Sequence, residues 1–488
     1  MQRQIQRVGV GLVFAFLAVF LQLNYLQIFA AERIASNPAN VRALLREYSI
    51  KRGDILTVDG KTVARSVSTG GRLDFKREYP RGSLFAQITG YYSVRYGRDR
   101  IERSFNDHLL GDAGRLSMQD IQDRLFGDHE QGENVVLTVH SELQEVARQA
   151  LGDQAGAVVA IEPSSGKVRA MWNTPTFNPN PLASHDLKEA TAHWESLRPD
   201  EPNSPLLSKV TSRSFPPGST FKVITAAAAL ESGMSRDETF PDPVALDLPL
   251  TDSTIRNFSG NTCAGGGEIS LFDALRVSCN TTFGQIGLDM PGRILRISEA
   301  FGFNQRIPFD VSTEPSGYPD IPDDEAPARA QAAIGQRDVA TTPLQMAVVT
   351  AGIANGGRVA RPRLVERILD PRGGVVRTFE TETLERAISG RTAGTLTDMM
   401  VAVVENGTGA AAQIEGIQVA GKTGTAQTVE GASPHAWFIA FAPAYDPQLA
   451  VAVLVENGGS LGSEATGGAV AAPIAKQIFE AHRRVAGW

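Results

Sequence analysis

Lysine is scarce in this chain. Of 47 basic residues nine are Lys, at positions 51, 61, 76, 167, 188, 209, 222, 422 and 476. Arginine is effectively never deprotonated, so each Lys is a rare group that could give up a proton near neutral pH. Cysteine is scarcer still, with Cys263 and Cys279 as the only two. With seven His and no HExxH, that leaves little material for a zinc site and excludes a disulfide scaffold. An excess of positive charge is also missing. The net charge is −7, so nothing points to a nucleic-acid partner. What is present is ordinary globular composition, 42% hydrophobic and 21% charged, which excludes a disordered or collagen-like chain. A length of 488 residues suggests two to four domains.

Only one apolar stretch has membrane length. Val8 to Ala31 is uncharged for 24 residues, enough for a tilted transmembrane helix. Arg3 and Arg7 precede it, which predicts a short cytoplasmic tail, residues 1–7, and an extracytoplasmic remainder. A cleaved signal fits less well, because a cut after Ala31 would put Phe29 where a small residue is expected. The expected organisation is an anchor at 8–31, a polar pedestal at 32–140 and a larger domain at 141–488. In that larger domain Ser141-Glu-Leu-Gln144 reads as a capping box opening a helix to about Leu151. Gly156 to Ile161 and Lys167 to Trp172 read as strands around a turn at Pro163-Ser-Ser-Gly166. Ala-rich helical stretches run from about 219 to 355. Three strand-like runs follow, Ile417–Gln427, His435–Ala442 and Leu449–Glu456, then an amphipathic helix over Ala469–Val485. The fold class is α+β: an antiparallel sheet from both ends of the domain, with an all-helical block inserted.

Three short motifs can carry chemistry. Ser-x-x-Lys places a hydroxyl and an amine one helical turn apart, which suits a nucleophile with its own base. It occurs twice. Ser164-Ser-Gly-Lys167 lies in the strand–strand turn, where the residues serve as turn formers. Ser219-Thr-Phe-Lys222 follows Phe215-Pro-Pro-Gly218 and opens an apolar helix, whose N-terminus favours negative charge near the Ser oxygen and disfavours a protonated Lys222. Ser-x-Asn also occurs twice. Ser259-Gly-Asn261 reads as turn chemistry, whereas Ser278-Cys-Asn280 stands between two helical runs. Lys422-Thr-Gly-Thr425 occurs once, on the first strand of the C-terminal meander, where Gly424 would let a peptide lie against the edge.

Taken in order, with 59 residues from Ser219 to Ser278 and 144 from there to Lys422, these motifs resemble the penicillin-recognising serine enzymes. Ala333-Ile-Gly-Gln336, Thr342-Pro-Leu-Gln345, Ala354-Asn-Gly-Gly357 and Ala436-Trp-Phe-Ile-Ala-Phe-Ala-Pro443 are similar to the transpeptidase domain of high-molecular-mass penicillin-binding proteins. Arg52-Gly-Asp-Ile55 with Asp59-Gly60 resembles the pedestal of the monofunctional class B members, and the whole resembles the actinobacterial penicillin-binding protein A type. The resemblance implies a D,D-transpeptidase that needs no metal or organic cofactor. Ser219 would attack the penultimate carbonyl of a D-Ala-D-Ala stem peptide and Lys222 would take its proton. Ser278 would relay a proton and Asn280 would hold the substrate amide. Lys422, Thr423, Gly424 and Thr425 would bind the substrate carboxylate. The backbone N–H groups of Ser219 and Thr425 would form the oxyanion hole. β-Lactams would acylate Ser219. The expected partners are peptidoglycan stem peptides and, through anchor and pedestal, a polytopic glycan polymerase. A D,D-carboxypeptidase, a β-lactam sensor and a scaffold of the wall-building complex are the alternatives. Whether Cys263 and Cys279 are bridged is left open by sequence.

Overall fold

The computed structural model describes residues 2–25, 41–71, 73–111, 131–249, 251–258, 260–322, 324–427 and 432–488. Helix α1 (Gln2–Asn24) includes a 19-residue apolar window, Gln6–Asn24, of mean hydropathy 1.8 and no internal burial. At ~1.5 Å per residue it has the length to span a bilayer core. Residues 26–31 of the expected anchor lie outside the described residues.

The pedestal forms around short strands, β1 (Ile55–Leu56), β2 (Thr62–Ser68), β3 (Phe75–Glu78) and β4 (Asn134–Leu137). Their inward residues Ile55, Val63, Val135 and Leu137 pack on Ile101, Phe105 and Leu109. The Arg52-Gly-Asp run enters this core as a buried ionic cluster. Glu102, fully buried, accepts Arg52 Nε at 2.6 Å on one oxygen and Arg77 Nε at 2.7 Å on the other. The Tyr79 hydroxyl donates to the second oxygen at 3.2 Å.

Helix α2 (Ser141–Leu151) then leads into β5 (Gly156–Ile161) and β6 (Val168–Thr174). The expected capping box does not form. The N-cap is His140, and the Asp59 carboxylate of the pedestal takes both the N–H (3.0 Å) and the hydroxyl of Ser141. Gln144 points inward instead, its amide donating to Met171 O at 2.7 Å and accepting from Met171 N–H at 2.8 Å. A long-range partner has displaced a local one.

The inserted block is not all-helical as expected: two short antiparallel strand pairs, Ala245–Asp247 with Thr254–Arg256 and Thr239–Pro241 with Glu268–Ser270, stand among α3 (Lys222–Glu231), α4 (Leu271–Arg276), α5 (Asn280–Asp289) and α6 (Pro343–Ala354). Helices α3 and α6 are apolar on nearly every face because they are enclosed. Strands β7 (Val365–Leu369) and β8 (Val375–Thr378) follow, then α7 (Gly390–Asn406). The chain closes with β9 (Ala420–Ala426), β10 (His435–Ala442), β11 (Leu449–Val455) and α8 (Ala472–Ala486). The meander and both chain-end contributions are therefore as expected, in a five-stranded antiparallel sheet of order β9-β10-β11-β5-β6. Alternate residues fill two cores. Ile439, Phe441 and Leu454 face the helical block, while Phe438, Val451 and Val453 face α2 and α8. Both faces are covered, so these strands read as continuous apolar runs.

One departure concerns the boundary at residue 140. The pedestal sheet has six strands in the order β8-β7-β4-β1-β2-β3, two of which come from the later part of the chain. Strand β7 runs antiparallel to β4, with Val365 opposite Leu137 and Leu369 opposite Asn134. Asp310 fixes the entry to β7 by accepting the N–H groups of Leu364 (2.6 Å) and Val365 (3.0 Å).

Candidate active site

Ser219 lies in the single 3₁₀ turn Gly218–Phe221 that feeds α3, and is half-buried. The turn demands two glycines. Gly218 has φ +53°, and a Cβ there would lie 2.7 Å from Thr425 O. Gly335, of the Ala-Ile-Gly-Gln run, has φ +74°, and a Cβ there would lie 2.2 Å from Gly218 O. Gly218 N–H donates to Gly335 O at 2.9 Å. The indole N–H of Trp437 donates to Pro216 O at 3.0 Å. These contacts seat the Ser219 turn against β9 and β10.

Lys222 begins α3 and is fully buried. Its Nζ donates to Asn280 Oδ1 (2.6 Å), Ser278 O (2.8 Å) and Ser278 Oγ (3.4 Å), and lies 5.6 Å from the centre of the Phe283 ring. These bonds do not include Ser219. Ser278 sits in the turn between α4 and α5 with φ +64°, a strained conformation for a side chain with a Cβ. Its hydroxyl is shared, since Lys422 Nζ donates to the same Oγ at 2.8 Å. Asn280 Nδ2 donates in turn to Arg256 O at 2.8 Å.

Lys422 departs from the expected geometry. It is fully buried on β9, with Nζ bonded to Ser278 Oγ and Thr423 O (3.0 Å). It therefore faces the Ser278 hydroxyl and not the open cleft, where a substrate carboxylate would lie. Thr423 and Thr425 line that cleft, and Gly424 lies between them opposite Trp437. Burial pushes the Lys422 ammonium down to about 7. Burial, and then the nearby Lys422 charge, holds Lys222 well below the ordinary ammonium value. Among the described residues neither amine has a carboxylate partner, and the two are thus placed to exchange protons through one hydroxyl.

The cleft encloses about 1090 Å³ and brings Ser219, Ser278, Asn280, Thr423 and Thr425 together. The other copies of the motifs lie elsewhere. Ser164 is exposed in its turn and Lys167 Nζ pairs with Glu366 at 3.1 Å. Ser259 lies outside the described residues, while Asn261 O accepts from Asn257 Nδ2 at 3.0 Å. Cys263 and Cys279 are bridged, with Cα atoms 5.8 Å apart, so the Ser278–Asn280 turn is tied to the neighbouring loop. Asp242 holds that loop by accepting the N–H groups of Cys263 and Ala264, both at 2.7 Å.

Three contributors carry no motif. Asn257 Oδ1 accepts the first N–H groups of α5, from Asn280 (3.0 Å) and Thr281 (3.2 Å). The hydroxyls of Thr408 and Thr423 are 2.6 Å apart. Arg337, with φ +58°, lines the wall directly after Gln336. No spacing or motif in the sequence marks any of the three, because each joins the site through the fold.

A serine at a glycine-shaped turn, two desolvated amines around one hydroxyl and an edge strand beside them fit a serine acyl-transferase. The sequence profile of the penicillin binding protein transpeptidase domain matches residues 156–480, and that of the penicillin binding protein A dimerisation domain matches 52–135. The chain belongs to the penicillin-binding protein transpeptidase family, as the motifs implied. It is 42% identical over 496 residues to the peptidoglycan D,D-transpeptidase PbpA of Mycolicibacterium smegmatis, covering 99% of each chain. The PbpA of Mycobacterium tuberculosis is 39% identical over 495 residues, again covering 99% of each. Among solved structures, penicillin-binding protein A of M. tuberculosis as its ceftriaxone acyl-enzyme superimposes with TM-score 0.85 at 39% identity, covering 90% of this chain and 99% of that one. Its penicillin G acyl-enzyme gives 0.84 at 39% identity, covering 89% and 100%.

Proposed function

We infer that Ser219 is the nucleophile of this peptidoglycan D,D-transpeptidase. The enzyme forms an acyl-enzyme from a D-Ala-D-Ala terminus and is inhibited covalently by β-lactams. The observation that carries the residue assignment is that Ser219, Ser278 and Asn280 line one cleft while the buried amines of Lys222 and Lys422, from two further points of the chain, both bond to Ser278 Oγ. In acylation Ser219 Oγ bonds to the penultimate D-Ala carbonyl carbon and Lys222 Nζ takes its proton. The oxyanion is held by the N–H groups of Ser219 and Thr425. The C–N bond then breaks, and the leaving amine receives a proton through Ser278 from the Lys pair. An acceptor amine attacks the ester, Lys222 takes up its proton, and Ser219 leaves as the hydroxyl. Thr423 and Thr425 bind the terminal carboxylate, and Lys422 acts through Ser278.

The apolar helix α1 is the single-pass anchor. Arg3 and Arg7 before it support a cytoplasmic N-terminus with the catalytic cleft outside, and anchor and pedestal are the surfaces for a polytopic glycan polymerase. Fluorescent penicillin tests the nucleophile. Ser219→Ala abolishes labelling while Ser164→Ala keeps it, and labelling that survives Ser219→Ala removes the assignment. Transfer from a D-Ala-D-Ala peptide to an amine, against release to water, separates transpeptidase from carboxypeptidase.

A further inference from the structure

The chain carries 54 acidic against 47 basic residues, yet the cleft wall reverses that balance. Among the described residues that line it, the charged side chains are Arg256 and Arg337, and none is a carboxylate. A concave wall of one sign concentrates ligands of the other. The two arginines are not equivalent. Arg337 is held by Glu325 and Asp338, each at 3.3 Å. Arg256 is exposed, and among the described residues its guanidinium has no ion pair or hydrogen bond. Its backbone, in contrast, is fixed. Arg256 ends a short strand, pairing with Ala245, and its carbonyl accepts Asn280 Nδ2 at 2.8 Å. The unpaired guanidinium is therefore carried by the residue that anchors the proposed amide-holding Asn280.

We propose that Arg256 recognises a carboxylate of the donor stem peptide upstream of its D-Ala-D-Ala terminus, and so discriminates a free acid from its carboxamide. The inference rests on the reading of this cleft as the donor site. Asn280 holds the amide near the scissile bond, and an extended peptide advances ~3.4 Å per residue. Arg256 lines the same cleft as Asn280 and is bonded to it through its carbonyl, so its guanidinium is within reach of residues that precede the terminal pair. A carboxylate there accepts the planar fork in two parallel bonds, and a carboxamide offers only one acceptor oxygen without charge. The site is open to solvent, so the discrimination is modest and weakens with salt.

The test uses the full chain and two D-Ala-D-Ala peptides identical except that one internal side chain is a carboxylate or its carboxamide. Each is titrated as a competitor of fluorescent-penicillin acylation, which reads binding whether or not the peptide is turned over. Wild type should bind the acid about three- to tenfold more tightly in low salt. Arg256→Gln should remove the preference, Arg256→Lys should keep part of it, and Arg337→Gln should keep most of it. Equal competition by both peptides on wild type, no competition by either, or a preference that survives Arg256→Gln overturns the proposal. Ser219→Ala is assayed in parallel by penicillin labelling. Lost labelling there with equal competition on wild type leaves the donor-site reading standing and sinks only the role of Arg256.

Discussion

In the pedestal, Arg52 and Arg77 sit on the two oxygens of Glu102, with all three side chains out of contact with solvent. Around Ser278, Lys222 and Lys422 are equally buried, and their partners are a hydroxyl, an amide oxygen and two carbonyls. Burial alone does not decide what a cation does. An Arg cannot release its proton, so its burial requires a counter-charge. A Lys without a counter-charge answers burial by giving the proton up. The pedestal cluster is therefore built as a structural joint, and the Lys pair is placed to serve as the acid–base device proposed above. Each part of that contrast can be broken separately.

The largest effect should come from taking deprotonation away from the cleft. Lys222→Arg keeps a cation but loses the base, and acylation by a slow β-lactam should fall by about 10²–10⁴. Lys422→Arg, which preserves a charge beside Ser278, should fall less. A Lys222→Arg variant that keeps most of its stopped-flow acylation rate, or loses less than Lys422→Arg, would show that Lys222 acts only as a charge. Next in size is the pedestal. Glu102→Gln takes from two buried guanidinium groups the carboxylate that bonds both, leaving Arg77 only the more distant Asp54, and should cost about 3–5 kcal/mol in urea unfolding. Acylation per folded molecule should stay at the wild-type value, and a large fall in it would erase the distinction between joint and device.

A pH series sharpens the contrast further. Lys422 has a folded value of about 7, below its ordinary 10.5, so between these the unfolded chain binds more protons. Stability should accordingly rise with pH across that window, Lys422→Met should flatten the rise, and the pedestal arginines should not contribute to it. The acylation rate should climb as Lys222 deprotonates and bend near pH 7, where Lys422 stops being able to return a proton. The smallest effect concerns positioning. Thr408→Val removes the partner of Thr423 Oγ1 and should lower peptide kcat/KM by about two- to tenfold, the worth of one hydrogen bond.

Much of this was legible in the sequence because its signals are local. The four strands Gly156–Ile161, Val168–Thr174, His435–Ala442 and Leu449–Val455 are short apolar runs bounded by turns, and they lie close to where periodicity puts them. The site motifs are also local, each fixing two or three groups at set spacing. What sequence could not give depends on partners far along the chain. Asp59 captures Ser141 across 82 residues and cancels a capping box that spacing alone predicts. Thr408 meets Thr423 only because α7 returns beside β9. The direction of Lys422 was missed because a strand residue points to one of two faces, and the face here is set by Ser278 arriving from the helical block.

The sheet that joins β4 to β7 has a consequence for how such a chain can be inherited. A gene cut between pedestal and catalytic stretches would not yield two independent parts. A fragment starting at Ser141 would carry Val365–Leu369 with its Asn134–Leu137 neighbour missing, and a bare strand edge invites pairing with other chains. Recombination that swaps one portion must therefore bring a compatible strand on the other. The two stretches are bound to drift together, as a lock and a key cut from one blank.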